Sequence, residues 1–240
     1  MSDLDIIETE LLSIDAIINR SFAKGTAMLT GKGMIYTDEE VAHLPSIGSY
    51  HPHYKEWKRR ERSTKRLLKL AQQAGAAANI LQVGCGNGWL AAKLANATSG
   101  NVTGIDINMR DLRQAKRVFA GSANLDFFVA DISEGILSDK QFDIIVFAAS
   151  IQYCSSLKAV IKNAMEHLTL MGQIHILDSP LHAGKNIPAK IMDDTDQHIH
   201  HIAELESFQY KIIYDPAAWS NKLFVNRDPF RHIVIKNHYR

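Results

Sequence analysis

The stretch NILQVGCGNGWLAAKLA, Asn79 to Ala95, decides the fold. Asn79–Val83 is a short apolar run. Glycine then occupies alternate positions 84, 86 and 88, and an alanine-rich segment follows. A short apolar run bounded by glycine reads as a buried strand, and the alanine-rich segment reads as a helix. The glycines let the connecting turn take positive φ and let a ligand approach the main chain. The free N–H groups at a helix start point the same way. Together they predict a nucleotide-like ligand at the carboxyl end of the strand.

Downstream, apolar runs recur at 101–106 (NVTGID), 125–130 (LDFFVA), 142–149 (FDIIVFAA) and 172–178 (GQIHILD). Helical patterns lie between the first three runs and again before the last. This alternation is that of a doubly wound α/β fold, with a mostly parallel sheet and helices on its faces. Two more β-rich runs, 208–215 and 230–237, complete seven strands. Upstream, residues 3–20 repeat Leu and Ile at helical spacing, 23–37 are glycine-bearing and irregular, and 46–54 form a turn-rich linker. Residues 55–75 (KEWKRRERSTKRLLKLAQQAG) read as a basic helix ended by Gly75. The expected organisation is a helical cap over 1–54 and a ligand-binding domain over 55–240.

The chain has 240 residues and a net charge of +1, with 46% hydrophobic and 22% charged residues. That balance gives no global field toward nucleic acid or an anionic membrane. The basic run 55–66 then reads as a solvated helix face, with Leu67, Leu68 and Leu70 turned inward. No apolar run approaches the roughly 20 residues of a membrane-spanning helix, and the acidic start MSDLDIIETELL lacks the basic region of a signal peptide. Cys85 and Cys154 match neither a disulfide framework nor a zinc pattern, so a cytoplasmic location is expected. The Gly31-Lys32-Gly33 triplet lacks the earlier glycine and the following Ser/Thr of a phosphate loop.

Two acidic residues extend the ligand argument. Asp106 ends the second run, where a carboxylate can accept from both hydroxyls of a ribose; the bland alternative is a helix N-cap. Asp131 ends the third run, where it can accept from an adenine amino group. A dinucleotide is disfavoured, because its fingerprint is Gly-x-Gly-x-x-Gly and Trp89 stands at the third glycine position.

In this ordered set the sequence resembles the class I S-adenosylmethionine-dependent methyltransferases, which have a Rossmann-like seven-stranded sheet whose last strand is antiparallel. LQVGCGNG resembles the family's glycine motif, with Gln82 where the family is usually acidic. VTGIDIN resembles its ribose motif, VADIS its adenine motif, and FDIIVFAASIQYC its fourth strand and following loop. The resemblance implies S-adenosylmethionine as cofactor and S-adenosylhomocysteine as product. It places Gln82, Gly84, Cys85, Gly86, Asn87 and Gly88 against the cofactor, then Asp106 and Ile107, then Ala130, Asp131 and Ile132. Ala148, Ser150 and Tyr153 after the fourth strand complete the set.

Methyl transfer demands alignment more than a catalytic group. A base is needed only where the acceptor must lose a proton, and Tyr153 and His182 are the candidates for that work. The loop AASIQY lacks the Asn/Asp-Pro-Pro-aromatic motif of enzymes that methylate base amino groups, so the expected acceptor is a small molecule. Two other readings stay open: a cofactor-binding protein without turnover, and an RNA or protein methyltransferase that uses 55–66 as its contact face. The stretch 192–205 offers Asp193, Asp194, Asp196, His198, His200 and His201, but no helical zinc spacing, and no metal is expected. The aromatic residues Tyr36, Tyr50, His53, Tyr54 and Trp57 could face the cationic sulfonium. The cap is expected to dock over 149–155 and 178–186.

Overall fold

Strand β1 (Ile80–Val83) is buried at all four residues, and its side chains divide between two cores. Ile80 joins the core on one face of the sheet, and Leu81 and Val83 join the core on the other. Strand β4 (Phe142–Ala148) divides likewise, with Ile144 and Val146 on the first face and Ile145 and Phe147 on the second. Successive strand residues point to opposite faces. A sheet covered on both sides therefore needs near-continuous apolar runs, which is what the sequence supplies.

The computed structural model describes residues 36–134, 137, 140–184, 197–218 and 228–237. The expected amphipathic helix over 3–20 lies outside them. Helix α1 (Asp38–His43) is followed by α2 (Tyr54–Ala74), the predicted basic helix. After β1 come α3 (Trp89–Ala95), β2 (Val102–Asp106), α4 (Met109–Val118) and β3 (Leu125–Val129). Strand β4 leads through α5 (Leu157–Glu166) to β5 (Leu168–Leu177). Two short strands, β6 (Leu181–His182) and β7 (His200–His201), pair parallel as a separate ladder. β8 (Tyr210–Tyr214) and β9 (His232–Lys236) complete the main sheet.

The seven-stranded sheet runs β3-β2-β1-β4-β5-β9-β8. β1 to β5 are parallel, and β9, the last strand in the chain, is antiparallel to both neighbours. Residues of α2, α3 and α4 (Leu67, Leu90 and Leu112 among them) pack in the first core. Leu157, Val160 and Ile161 of α5 pack in the second. The order reverses between β1 and β4, and in such sheets ligands bind outside the carboxyl ends of the strands at that point.

One expectation is adjusted. β5 begins at Leu168, not Gly172. Its register against β4 jumps from Leu168 opposite Phe142 to Gln173 opposite Ile144, and Leu170 and Met171 bulge into solvent. The expected docking of the cap over 149–155 and 178–186 falls largely on residues outside the described ones; Tyr36 and Asp38, at the start of the described part, bond to α2 and α4. Thr37 caps α1 in a reciprocal box with Glu40, Asp38 holds the Arg117 guanidinium at 2.6 Å, and Gln114 donates to the Tyr36 carbonyl at 2.7 Å.

Candidate functional site

The turn after β1 is pinned before it opens. The N–H groups of Gly84 and Cys85 both donate to the Ile105 carbonyl, at 2.8 and 3.0 Å. Gly86 (φ +53°) and Gly88 (φ +77°) then hold left-handed conformations that favour glycine. Their surroundings differ. A Cβ on Gly88 would lie 2.5 Å from the Phe127 ring and 2.8 Å from the Ala115 Cβ, so this glycine lets the turn pack on the helix and strand behind it. A Cβ on Gly86 would meet nothing within 4 Å, so this glycine keeps backbone open to whatever occupies the strand ends. Asn87 is half-buried between them, while the Cys85 thiol is buried and pushed well up by burial, with the Asp106 carboxylate adding to the effect.

Asp106 ends β2 beside this turn. Its Oδ2 accepts the Gly86 N–H at 2.7 Å and its Oδ1 accepts the Asn108 N–H at 2.8 Å. The N-cap of α4 is Asn108, whose side chain accepts from the N–H groups of Arg110 and Asp111. Asp106 is thus released from capping, and each of its oxygens keeps a further lone pair. Burial pushes its carboxyl upward, opposed by the Asn108 and Gly86 hydrogen bonds. Ile107 follows, half-buried.

At the end of β3, the Ala130 N–H donates to the Asp106 carbonyl at 3.2 Å. Asp131 Oδ1 accepts from the Ser133 N–H and hydroxyl at 2.9 and 2.7 Å. Ile132 is buried in the second core, as is Ala130, so both shape this corner from beneath.

The end of β4 presses on the glycine turn. The Ser150 hydroxyl donates to the Val83 carbonyl at 2.8 Å, and a Cβ on Gly84 would lie 2.5 Å from the Ser150 Cβ. Ala149, between half-buried Ala148 and Ser150, holds φ +54°. Asp178, directly after β5, holds the same φ. Non-glycine residues in this region are strained and cluster at functional sites. Tyr153 is exposed, whereas Gln152 is buried, with its amide N–H on the Ala149 carbonyl at 3.0 Å and its Oε1 without a partner. Gln82 is buried under the same face as Ile80, and its Oε1 likewise has no partner.

His182 lies in the short ladder, its ring 6.1 Å from that of His201. Its Nε2 is buried and unpartnered, and burial lowers its pKa, helped by His201 and Arg231. The ladder is tied to the loop after β4: the His198 N–H donates to the Gln152 carbonyl at 2.7 Å, and His200 Nε2 bonds the Cys154 carbonyl at 2.9 Å. Asp193, Asp194 and Asp196 lie outside the described residues. Among the described ones no group of His, Cys, Asp and Glu is placed to hold a metal.

Of the N-terminal aromatics, Tyr36 and Trp57 are buried and joined, Trp57 Nε1 donating to the Tyr36 hydroxyl at 2.7 Å. Trp57 meets Trp89, the first residue of α3, edge to face at 5.1 Å. Tyr50 is fully exposed. On the basic helix, Lys58 and Lys65 hold Glu61, Arg60 holds Glu56 and Arg66 holds Asp228. Much of its charge is therefore spent within the protein. Sequence reasoning passed over Asp178 and its partner Ser63, although an acidic residue ending an apolar run was the signal already used for Asp106 and Asp131.

A strand–glycine turn–helix at the switch point, with carboxylates at successive strand ends, defines a Rossmann-like ligand-binding domain. Residues 80–172 match the family described as methyltransferase domain. Malonyl-[acyl-carrier protein] O-methyltransferase of Bacillus anthracis is 29% identical over 125 residues, 52% of this chain and 46% of that protein. Nodulation protein S of Sinorhizobium fredii is 28% identical over 142 residues, 54% of this chain and 64% of that protein. The chain thus spans about half the length of the first curated relatives it matches. Among solved structures, the YcgJ protein of Bacillus subtilis superposes with a TM-score of 0.60 at 15% identity, over 75% of this chain and all of that one. The N-methyltransferase NodS of Bradyrhizobium japonicum, bound to S-adenosylhomocysteine, superposes at 0.55 and 19% identity, over 83% of this chain and 97% of that one.

Proposed function

We propose that this chain transfers a methyl group from S-adenosylmethionine to a small-molecule acceptor, leaving S-adenosylhomocysteine. The observation that carries the reading is Asp106: a half-buried carboxylate at the end of β2, held by two backbone N–H groups beside an open glycine turn and freed from capping by Asn108. A ribose diol fits its remaining lone pairs, and the space before Gly86 accepts the adenosyl group against backbone. Asp131 is assigned to the adenine amino group. Gln82, Gly84 to Gly88, Ile107, Ala130, Ile132, Ala148, Ser150 and Tyr153 complete the proposed contact set. The cofactor supplies a methyl carbon already activated by a sulfonium. The protein's part is to hold the acceptor in line with that carbon and to exclude water.

Residues at the ends of β4 and β5 are assigned to the acceptor, with His182 as the base where a proton must leave. The relatives are named for O-methylation of a carrier-bound malonyl group and for N-methylation, so the acceptor atom varies within this fold. In this reading 1–54 cap the domain formed by 55–240. No helix among the described residues is long and apolar enough to cross a membrane. A cytoplasmic location accords with two free cysteines, Cys85 and Cys154.

Thermal unfolding with S-adenosylhomocysteine and with NAD tests the cofactor. The former should raise the midpoint and the latter should not, since Trp89 replaces the third fingerprint glycine. A larger shift with NAD would overturn the assignment.

A further inference from the structure

Asp178, among the residues at the end of β5, is a buried carboxylate whose charge the roles above do not use. It directly follows β5, 9% exposed, in a left-handed conformation. Its Oδ2 accepts a hydrogen bond from the Ser63 hydroxyl of α2 at 2.8 Å. Ser63 is itself fully buried. The nearby cations are committed elsewhere, Arg60 to Glu56 at 2.8 Å and Arg66 to Asp228 at 2.6 Å. Buried carboxylates without a paired cation are costly to keep, and strained backbone at a strand end is retained where the surroundings impose it.

The place of Asp178 in the fold suggests what the charge is for. Ala149 donates its N–H to the Leu177 carbonyl, and its neighbour Ser150 presses on Gly84. Direct contacts therefore run from the glycine turn to Asp178. From β2 to β5 is three strand spacings, roughly 14 Å. A cofactor whose ribose sits on Asp106 and whose sulfur lies over the ends of β1 and β4 extends its amino-acid end toward β5. An ammonium carries three donors and a positive charge.

We infer that Asp178 is the counter-charge for the ammonium at the cofactor's amino-acid end. Ser63 positions the carboxylate. This rests on S-adenosylmethionine being the cofactor, and two probes separate the two ideas. S-adenosylhomocysteine carries the ammonium, whereas 5′-methylthioadenosine shares the adenosyl group and lacks the amino-acid end.

Calorimetry of both probes with the wild-type chain and with Asp178→Asn is the test. The variant should lose roughly ten- to hundred-fold in affinity for S-adenosylhomocysteine, as for a charge-assisted hydrogen bond. Its affinity for methylthioadenosine should stay within about twofold, which also shows that it is folded. If both affinities fall together, or neither changes, Asp178 only braces α2 and the inference is overturned. If the wild-type chain binds neither probe, the cofactor assignment fails and the inference with it. Should Asp178→Asn not fold, Ser63→Ala gives the same contrast, with a smaller loss confined to S-adenosylhomocysteine. An equal change for the two probes in that variant would overturn the inference.

Discussion

Two alanine substitutions in one turn should have opposite signatures. Gly86 and Gly88 sit two residues apart with similar φ, +53° and +77°. Placing alanine in a left-handed conformation costs about 1–2 kcal/mol at either position. At Gly86 little adds to this, because the new Cβ meets nothing within 4 Å. At Gly88 the new Cβ would stand 2.5 Å from Phe127 and 2.8 Å from Ala115, both buried. Overpacking of that kind adds about 1–3 kcal/mol, so Gly88→Ala should cost about 2–5 kcal/mol. The order reverses for ligand binding, since the Gly86 methyl would occupy the space assigned to the adenosyl group. Urea unfolding gives the stabilities and calorimetry with S-adenosylhomocysteine gives the affinities. Gly86→Ala should unfold within about 2 kcal/mol of wild type yet bind at least tenfold more weakly. A Gly86→Ala protein that binds normally would refute the placement of the ligand. One that unfolds as readily as Gly88→Ala would refute the division of labour between the two glycines.

Asp106→Ala should weaken S-adenosylhomocysteine binding by about 1.5–3 kcal/mol, the worth of a charge-assisted hydrogen bond, and calorimetry at wild-type affinity would remove the ribose assignment. Asp178, pushed up by burial from 3.8 to about 6, favours the fold fully below pH 3.8, and that contribution is lost as pH rises through about 6. The stability difference between wild type and Asp178→Asn should therefore move against wild type by about 2 kcal/mol from pH 4 to 7, measured by urea unfolding. His175 and His232, buried 3.1 Å apart in β5 and β9, are both lowered by burial from 6.5, His175 to about 4. Their contribution is complete above pH 6.5 and is lost as pH falls toward 4, so unfolding midpoints should drop across that window and flatten in a His175→Leu/His232→Leu variant.

The sheet was legible because its central strands β1 and β4 are apolar on both faces and helical patterns separate most of the parallel strands, so local composition and topology agree. The glycine turn and Asp106 were legible for the same reason: strand ends announce themselves when an apolar run stops at Gly or Asp. What the sequence left ambiguous about Asp106 was its role, since a helix follows it directly. Only the structure shows Asn108 taking the cap. The start of β5 was misplaced because Leu170 and Met171 are apolar yet point outward from a bulge, which no alternation rule foresees. The pairing of Ser63 with Asp178 spans 115 residues and exists only once α2 lies on the sheet. The docking of Tyr36 to Asp38 on α4 depends on Gln114 and Arg117, polar residues on a helix whose pattern says only which face is dry.

The edge-to-face pair of Trp57 and Trp89 gives this protein an optical reporter of its own. Trp89 follows Gly88 directly, at the mouth of the turn, and Trp57 sits 5.1 Å away with its indole N–H fixed on the Tyr36 hydroxyl. Two indoles locked at 85° in an asymmetric environment should give a strong near-ultraviolet circular dichroism signal. That signal follows the seating of α2 against the start of α3 and needs no label. Trp219, the third tryptophan, can be replaced by phenylalanine to leave the pair alone in the spectrum.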